Sequence, residues 1–295
     1  MVKGFKVPVH FYALAAMLFW GMSFVWTSRL LIYFQPVTII FIRLLISSTF
    51  LFLLMIVSGR FERIRLKDTW LILGSAVFNP FLYFLGENFG LKFTSATIAS
   101  VIIATIPVFS PLVAWLTFRE KISRLNIFGI FISFSGVAIM LVSRKFSLSG
   151  EGKGVLFLFG AVLSSLVFSV FLKKLTQRYS PVTLVAWQNV IGACLFLPLF
   201  LVFERARLNT VRLDPGIISS FLFLSILASS LAFVFFAKTI KEIGISKANI
   251  YSNLIPVFTA FFSWLLIAEP FTVQKVSGIL VVIGGVYLSE RNKPR

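Results

Sequence analysis

Hydrophobic residues run through this chain in long blocks, separated by short polar segments rich in Lys and Arg. A helix needs about 20 mostly apolar residues to cross a bilayer. On that ruler the pattern predicts ten spans, at 11–33, 36–57, 70–91, 95–118, 125–142, 154–172, 181–203, 216–237, 246–267 and 273–289. The blocks are continuously apolar and show none of the in–out alternation of barrel strands, so the spanning elements are helices. Short connections make consecutive helices antiparallel neighbours. The first block follows Lys3 and Lys6 as a signal peptide would, but it is too long for a cleavable segment and shows no small-x-small cleavage site. It reads as a first transmembrane helix.

Composition agrees with the pattern. The chain is 58% hydrophobic and 13% charged, with mean hydropathy +0.97, whereas a soluble domain carries about 25% charged residues. The expected fold class is an all-α membrane protein. A net charge of +18 would suggest a nucleic-acid partner in a soluble protein, but the cations fall in loops between apolar blocks, which argues against one. The N-terminus, the C-terminus and the segments 58–69, 119–124, 173–180 and 238–247 together hold about twice the Lys and Arg of the remaining connections. That bias predicts both termini in the cytoplasm and a multi-pass protein of the cell (inner) membrane. The expected partners are lipid and a small-molecule substrate, with the protein a monomer or weak homodimer.

The chain also repeats itself. Pro36-Val37-Thr38 recurs as Pro181-Val182-Thr183, and Ile106-Pro107-Val108-Phe109 recurs as Ile255-Pro256-Val257-Phe258. In the register of the second match Glu120 meets Glu269, Gly129 meets Gly278 and Gly136 meets Gly285. Five spans is an odd number, so a second copy enters the membrane from the opposite side. The prediction is two inverted five-helix units, 1–143 and 154–295, joined by the Ser- and Gly-containing linker Ser143–Gly154. Inverted repeats are typical of secondary transporters that alternate access to a central site.

Several of these residues resemble a known family. Leu18-Phe19-Trp20-Gly21-Met22-Ser23-Phe24 is similar to the Trp-Gly-x-Ser-Phe opening of EamA-type permeases in the drug/metabolite transporter superfamily. Pro36 with Arg43, the stretch Gly90–Thr117 around Ser95-Ala96 and Pro107, and the Glu120 and Glu269 endings with their paired glycines resemble the same family. The second half departs from it, with Ser164-Ser165 in place of a Trp-Gly pair and Gln188 where the first half has Arg43. The resemblance implies a ten-helix permease that exports or exchanges small metabolites, while one deep Arg and few acids inside the apolar blocks point toward amino acids or related compounds. An uncoupled facilitator and a multidrug or organic-cation exporter are the alternatives.

Candidate chemistry lies where polar groups enter apolar blocks, because a charge in hydrocarbon costs about 2.5–3.5 kcal/mol on insertion scales unless it is paired or faces water. Arg43 in span two and Glu87 in span three are the deepest charges. Arg43 is expected to hold a substrate carboxylate or to pair with Glu87, and Glu87 is an alternative site for proton coupling. Asn79, Tyr83, Ser165, Gln188, Asn189, Ser229 and Asn253, in line with Ser164, Ser230 and Asn249, are expected to line a shared cavity or to join helices. Trp20 and Trp187 are candidate aromatic walls, whereas Trp26, Trp70, Trp115 and Trp264 read as interface anchors. Pro107 and Pro256 occupy matching mid-span positions, predict kinks that free the carbonyls of Ile103 and Ser252, and are candidate gating hinges. The paired glycines predict close packing of spans five and ten, and Glu120 and Glu269 predict caps on the helices that follow them. Cys194 is the only cysteine and His10 the only histidine, and Cys194 reads as a small buried hydrophobe. No disulfide, metal site, cofactor site or nucleophile–base constellation is expected, so the chain does not read as an enzyme.

Overall fold

Helix is the only regular structure in the computed structural model, which describes residues 8–109, 124–141, 151–208, 211–243, 248, 251–270 and 272–291. Six continuous stretches are long and apolar enough to cross a membrane: Val9–Leu30, Pro36–Val57, Leu66–Phe93, Glu151–Leu175, Pro181–Glu204 and Pro215–Ile243. Shorter apolar helices at Ala96–Phe109, Ile127–Ile139, Tyr251–Ile267 and Val273–Gly285 fall where spans four, five, nine and ten are expected. Phe131, Val202 and Phe203 stand about seven-tenths exposed on the outside. Such a surface would aggregate in water and is at home in lipid.

Helix starts follow sequence rules. Helix α1 is Val9–Leu30 and α2 is Pro36–Val57, opening on a proline whose missing N–H is an orphan at that position anyway. The seventh span opens the same way at Pro181 as α8, Pro181–Leu199, and widens into a π-helical turn over Phe200–Glu204. Two carboxylates tie α2 and α8 together. Beyond α8, Glu204 accepts hydrogen bonds from the Val37 N–H (3.3 Å), the Thr38 N–H (2.6 Å) and the Thr38 hydroxyl (2.7 Å). Beyond α2, Glu62 accepts from the Ser180 N–H (3.1 Å) and the Thr183 hydroxyl (2.8 Å). Each helix therefore has its amino end held by a carboxylate that follows the other helix, where negative charge also suits the helix dipole. The two helices run antiparallel.

Span three is broken, which the sequence reading did not anticipate. After a 3₁₀ turn at Leu66–Asp68 come α3, Thr69–Ala76, a widened turn at Val77–Leu82 and α4, Tyr83–Phe93. The break lies at Asn79, whose φ of −146° and ψ of 117° are extended, as expected for a residue pushed out of the α region by the proline after it. Span eight is similarly modified, as α10 (Pro215–Leu222), a π-helical stretch (Phe223–Leu231) and α11 (Ala232–Ile243). The Pro80 break packs onto α8 at Gly192, where a Cβ would stand 2.4 Å from Pro80 Cγ.

The remaining elements are α5 (Ala96–Ile103), α6 (Arg124–Leu141), α7 (Glu151–Leu175), the short α9 (Arg205–Leu208), α12 (Ile255–Ile267) and α13 (Val273–Arg291). Helices α6 and α13 lie antiparallel at contact distance. A Cβ on Gly136 would meet the Gly278 carbonyl at 2.8 Å, and one on Gly285 would meet the Gly129 carbonyl at 2.8 Å. The expected close packing of spans five and ten through these glycines is present.

Several expectations need correction. Helix α7 begins inside the expected linker, and helix continues past Glu204 to Leu208 where a loop is expected. Cys194 is exposed on the outer face of α8, where an apolar thiol is compatible with lipid. Trp26 is buried and stacks on Phe223 at 5.1 Å, whereas Trp70 and Trp264 are exposed as anchors would be. Glu269 caps no backbone amine among the described residues. Its carboxylate takes the Lys275 ammonium at 2.7 Å and faces Ser95 and Thr97 at the start of α5. Burial acts to raise the Glu269 carboxyl, but Lys275 and those hydroxyls outweigh it and hold it below the ordinary value. Trp115, Glu120, Asn249 and linker residues 143–150 lie outside the described residues.

Candidate functional site: a central polar and aromatic cavity

The cavity grows from the breaks and from the residues that cannot face lipid. About 80 Å³ is enclosed between α1, α2, the third span, α5, α7, α11 and the segment leading into α12. Trp20, Arg43, Asn79, Tyr83, Glu87 and Ser165 all line it. The other walls are apolar and aromatic, with Phe24, Phe84, Phe168, Phe233 and Phe236 among them.

Arg43 is 1% exposed. Its Nε donates to the Ser229 hydroxyl at 2.8 Å, and its guanidinium carbon lies 4.0 Å from the centre of the Phe84 ring, a cation–π contact. Its Nη1 has no hydrogen-bond partner among the described residues, and neither has Oε2 of Glu87, which is 6% exposed. The two charges lie close enough to influence one another, yet they form no ion pair among the described residues. Of the two roles the sequence leaves open for Arg43, direct pairing with Glu87 is not what the structure contains. A buried charge left with free bonding capacity is expensive, and a bound polar molecule is one way of meeting that capacity.

Trp20 is held rigidly. Its indole N–H donates to the Ala228 carbonyl at 3.3 Å, within the π-helical stretch of span eight, and its ring meets Phe233 and Phe236 edge-on, each at 5.0 Å. Asn79 reaches the cavity through the break at Pro80, which turns its backbone out of the helix. The carbonyl of Phe78, beside that break, accepts from the Ser164 hydroxyl at 2.7 Å, which ties α7 to it.

Trp187, Gln188, Asn189, Ser229 and Asn253 are not among the lining residues. Trp187 packs on Phe52 and donates to the Glu62 carbonyl. Gln188 donates to the Ser75 hydroxyl at 3.1 Å. Asn189 donates to the Ser47 hydroxyl and the Ser229 carbonyl, while Ser47 and Ser230 share a hydrogen bond of 2.6 Å. These groups join α2, α8 and span eight, and Ser229 stands behind Arg43 as its support. Asn253 is half-buried beside the cavity with Oδ1 unpartnered among the described residues.

The two prolines stand at breaks. Helix α5 ends at Ile103 and helix resumes at Ile106, with Pro107 second in the new segment; a 3₁₀ turn at Tyr251–Leu254 leads into α12, with Pro256 second. Ile103 and Ile106 line the cavity, as do Ser252 and Ile255, their counterparts in the repeated motif. Ser23 and Ser169, also in the lining, are not among the expected cavity residues, although each lies within one turn of one, Trp20 and Ser165 respectively. The lining phenylalanines had no such signal, since 36 of them occur and those facing lipid look the same in sequence.

The cavity has a direction. Leu172 and Ile240 line it within one turn of the ends of α7 and α11, and Ser252 lines it near the beginning of span nine. It extends from Arg43 and Glu87 toward the side of segment 173–180. At the opposite end the chain is tied by Glu204 to Thr38 and by Lys92 to the Gln35 side chain at 2.7 Å.

Known proteins match most of this chain. The EamA-like transporter family matches at residues 7–142 and again at 152–291. An uncharacterized transporter of Archaeoglobus fulgidus is 26% identical over 93% of this chain and 96% of its own. The uncharacterized transporter YvbV of Bacillus subtilis is 28% identical over 91% of this chain and 87% of its own. A protein of known crystal structure, 15% identical, shares the fold with a TM-score of 0.65 over 93% of this chain and 97% of that one. Apolar spans, a buried polar cavity and two matched stretches of one family agree: this chain is a multi-pass membrane protein that belongs to the EamA-like transporter family.

Proposed function

We propose that the protein is a secondary transporter which moves a small zwitterionic metabolite, such as an amino acid or related compound, by alternating access to the central cavity. The observation that carries the proposal is the pair of buried, oppositely charged groups in one cavity, Arg43 and Glu87, each with an unpartnered atom. A substrate carboxylate would take the free Nη1 of Arg43 and a substrate ammonium the free Oε2 of Glu87, each a charge-assisted bond. Trp20 and the surrounding phenylalanines would hold an apolar side chain. On this reading the chain crosses the inner membrane ten times as two inverted five-helix units, 1–143 and 154–295, with both termini cytoplasmic. Export or exchange of the substrate is part of this reading, as the family resemblance implies. The breaks at Pro107 and Pro256 serve as hinges, since both sit against the cavity wall and neither interrupts a continuous helix.

Counterflow in proteoliposomes tests the proposal. Vesicles loaded with unlabelled amino acids are expected to accumulate labelled amino acid, and vesicles loaded with organic cations are not. Accumulation driven by organic cations alone would replace the zwitterion reading with the cation-exporter one. A rate indifferent to imposed pH and sodium gradients would identify an uncoupled facilitator.

A further inference from the structure

A second concavity lies on the lipid-facing side of the molecule, between the broken third span and α7. It is a groove of about 820 Å³, walled by Phe78, Leu82 and Leu85 on one side and by Leu156, Phe157 and Leu163 on the other. Its depth comes from missing side chains. At Gly86 the helices touch, since a Cβ there would stand 2.6 Å from the Phe157 carbonyl, while a Cβ on Gly160 would meet nothing within 4 Å. The hydroxyl of Ser164 is already bonded to the Phe78 carbonyl, so it leaves the groove apolar. The one charged lining residue is Lys153, exposed, with no hydrogen-bond or ion-pair partner among the described residues.

The dimensions fit half a bilayer. From Lys153 to Val167 the groove follows α7 for about 21 Å at 1.5 Å per residue, against about 15 Å for one leaflet of hydrocarbon. A lysine at headgroup level therefore tops an apolar channel long enough to run through one leaflet and past the membrane middle. An apolar concavity excludes water, and the solvent here is lipid. A second copy of this chain is a poor occupant, because a protein with 28 Lys and Arg against 10 Asp and Glu would bring mostly cations to Lys153.

We propose that this groove is a binding site for one acyl chain of an anionic phospholipid whose phosphate is held by the Lys153 ammonium. The site is separate from the central cavity and does not depend on what that cavity carries. The lipid fills the gap between α4 and α7 on the outside of the very helices that present Glu87 and Ser165 inward, and so braces that wall.

Native mass spectrometry of the purified full chain, with phosphatidylglycerol and phosphatidylcholine of identical chains, tests the proposal. The wild type is expected to retain one phosphatidylglycerol in preference to phosphatidylcholine by about fivefold, the worth of one lysine near an anionic headgroup. Gly160→Leu places a side chain in the open groove and is expected to lose both lipids while the melting temperature holds. Leu156→Trp fills the groove from a position 74% exposed and serves as a second filling variant. Lys153→Ala is expected to bind both lipids alike. Wild-type retention in either filling variant, or a headgroup preference that survives Lys153→Ala, would overturn the site. A dimer of the wild type that Gly160→Leu converts to monomer would assign the groove to a copy of the chain instead.

Discussion

Arg43 shows how one residue can serve structure and chemistry together. Three features fix it: the Ser229 hydrogen bond, the Phe84 ring and burial on all sides. Removing it leaves Glu87 as an uncompensated buried charge, so Arg43→Leu is expected to destabilise the protein by about 3 kcal/mol and to abolish counterflow. Adding Glu87→Gln removes the stranded charge and is expected to recover most of the stability but none of the transport. Thermal melts and counterflow of the two single variants and the double variant separate these effects, and a double variant no more stable than Arg43→Leu would show that the two charges are not coupled. Both residues were legible in the sequence, because ionisable groups deep in apolar blocks are rare. The assignment of Gln188 and Asn189 to the cavity was not reliable for the opposite reason, since uncharged polar groups join helices as readily as they face a substrate. Their partners, Ser75 on one hand and Ser47 and Ser229 on the other, are distant in sequence.

Between elements, the recurring device is a contact in which one helix completes the end or the face of another. Glu204 serves three donors at the start of α2, all buried. Truncating it strands them, so Glu204→Ala is expected to cost about 1–3 kcal/mol, read as a lowered melting temperature in detergent. Glu62→Ala is expected to cost less, because its partners at the start of α8 are partly exposed. Equal losses would show that burial does not govern the two ties. The contact of α6 with α13 supplies a sharper contrast. Gly285→Val would drive a side chain into Ser133 and the Gly129 carbonyl and is expected to abolish folded protein on size exclusion, whereas Gly284→Ala meets open space and is expected to be neutral or slightly stabilising. The glycine pairing was visible in the sequence as spacing. The reciprocal role of Glu62 and Glu204 was not, because a carboxylate in a loop carries no sign of which distant helix it will meet.

For the molecule as a whole, the cavity reaches Leu172, Ile240 and Ser252 at one end. In a Cys194→Ala background, which keeps that lipid-facing position apolar, cysteines at Leu172 and Ile240, both buried here, are expected to react with a membrane-impermeant thiol reagent as the cavity opens, and only from the side of segment 173–180. Saturating substrate is expected to slow that reaction. Labelling from the opposite side alone would reverse the direction assigned to the cavity.

The sequence by itself determined the membrane class, the helical character and most span positions, because hydrocarbon leaves helices as the solution for long apolar blocks. It also carried the duplication and the family, since these are properties of residue order. Tertiary structure decided which polar groups face one another, that span three breaks at Asn79 to admit its side chain to the cavity, and that Arg43 and Glu87 share a cavity without bridging. Those outcomes depend on the rotation and depth of each helix against its neighbours. Rotation and depth are set by packing between residues such as Gly192 and Pro80, far apart in the chain, and hydrophobic periodicity does not encode them in helices whose lipid-facing sides are as apolar as their packed ones.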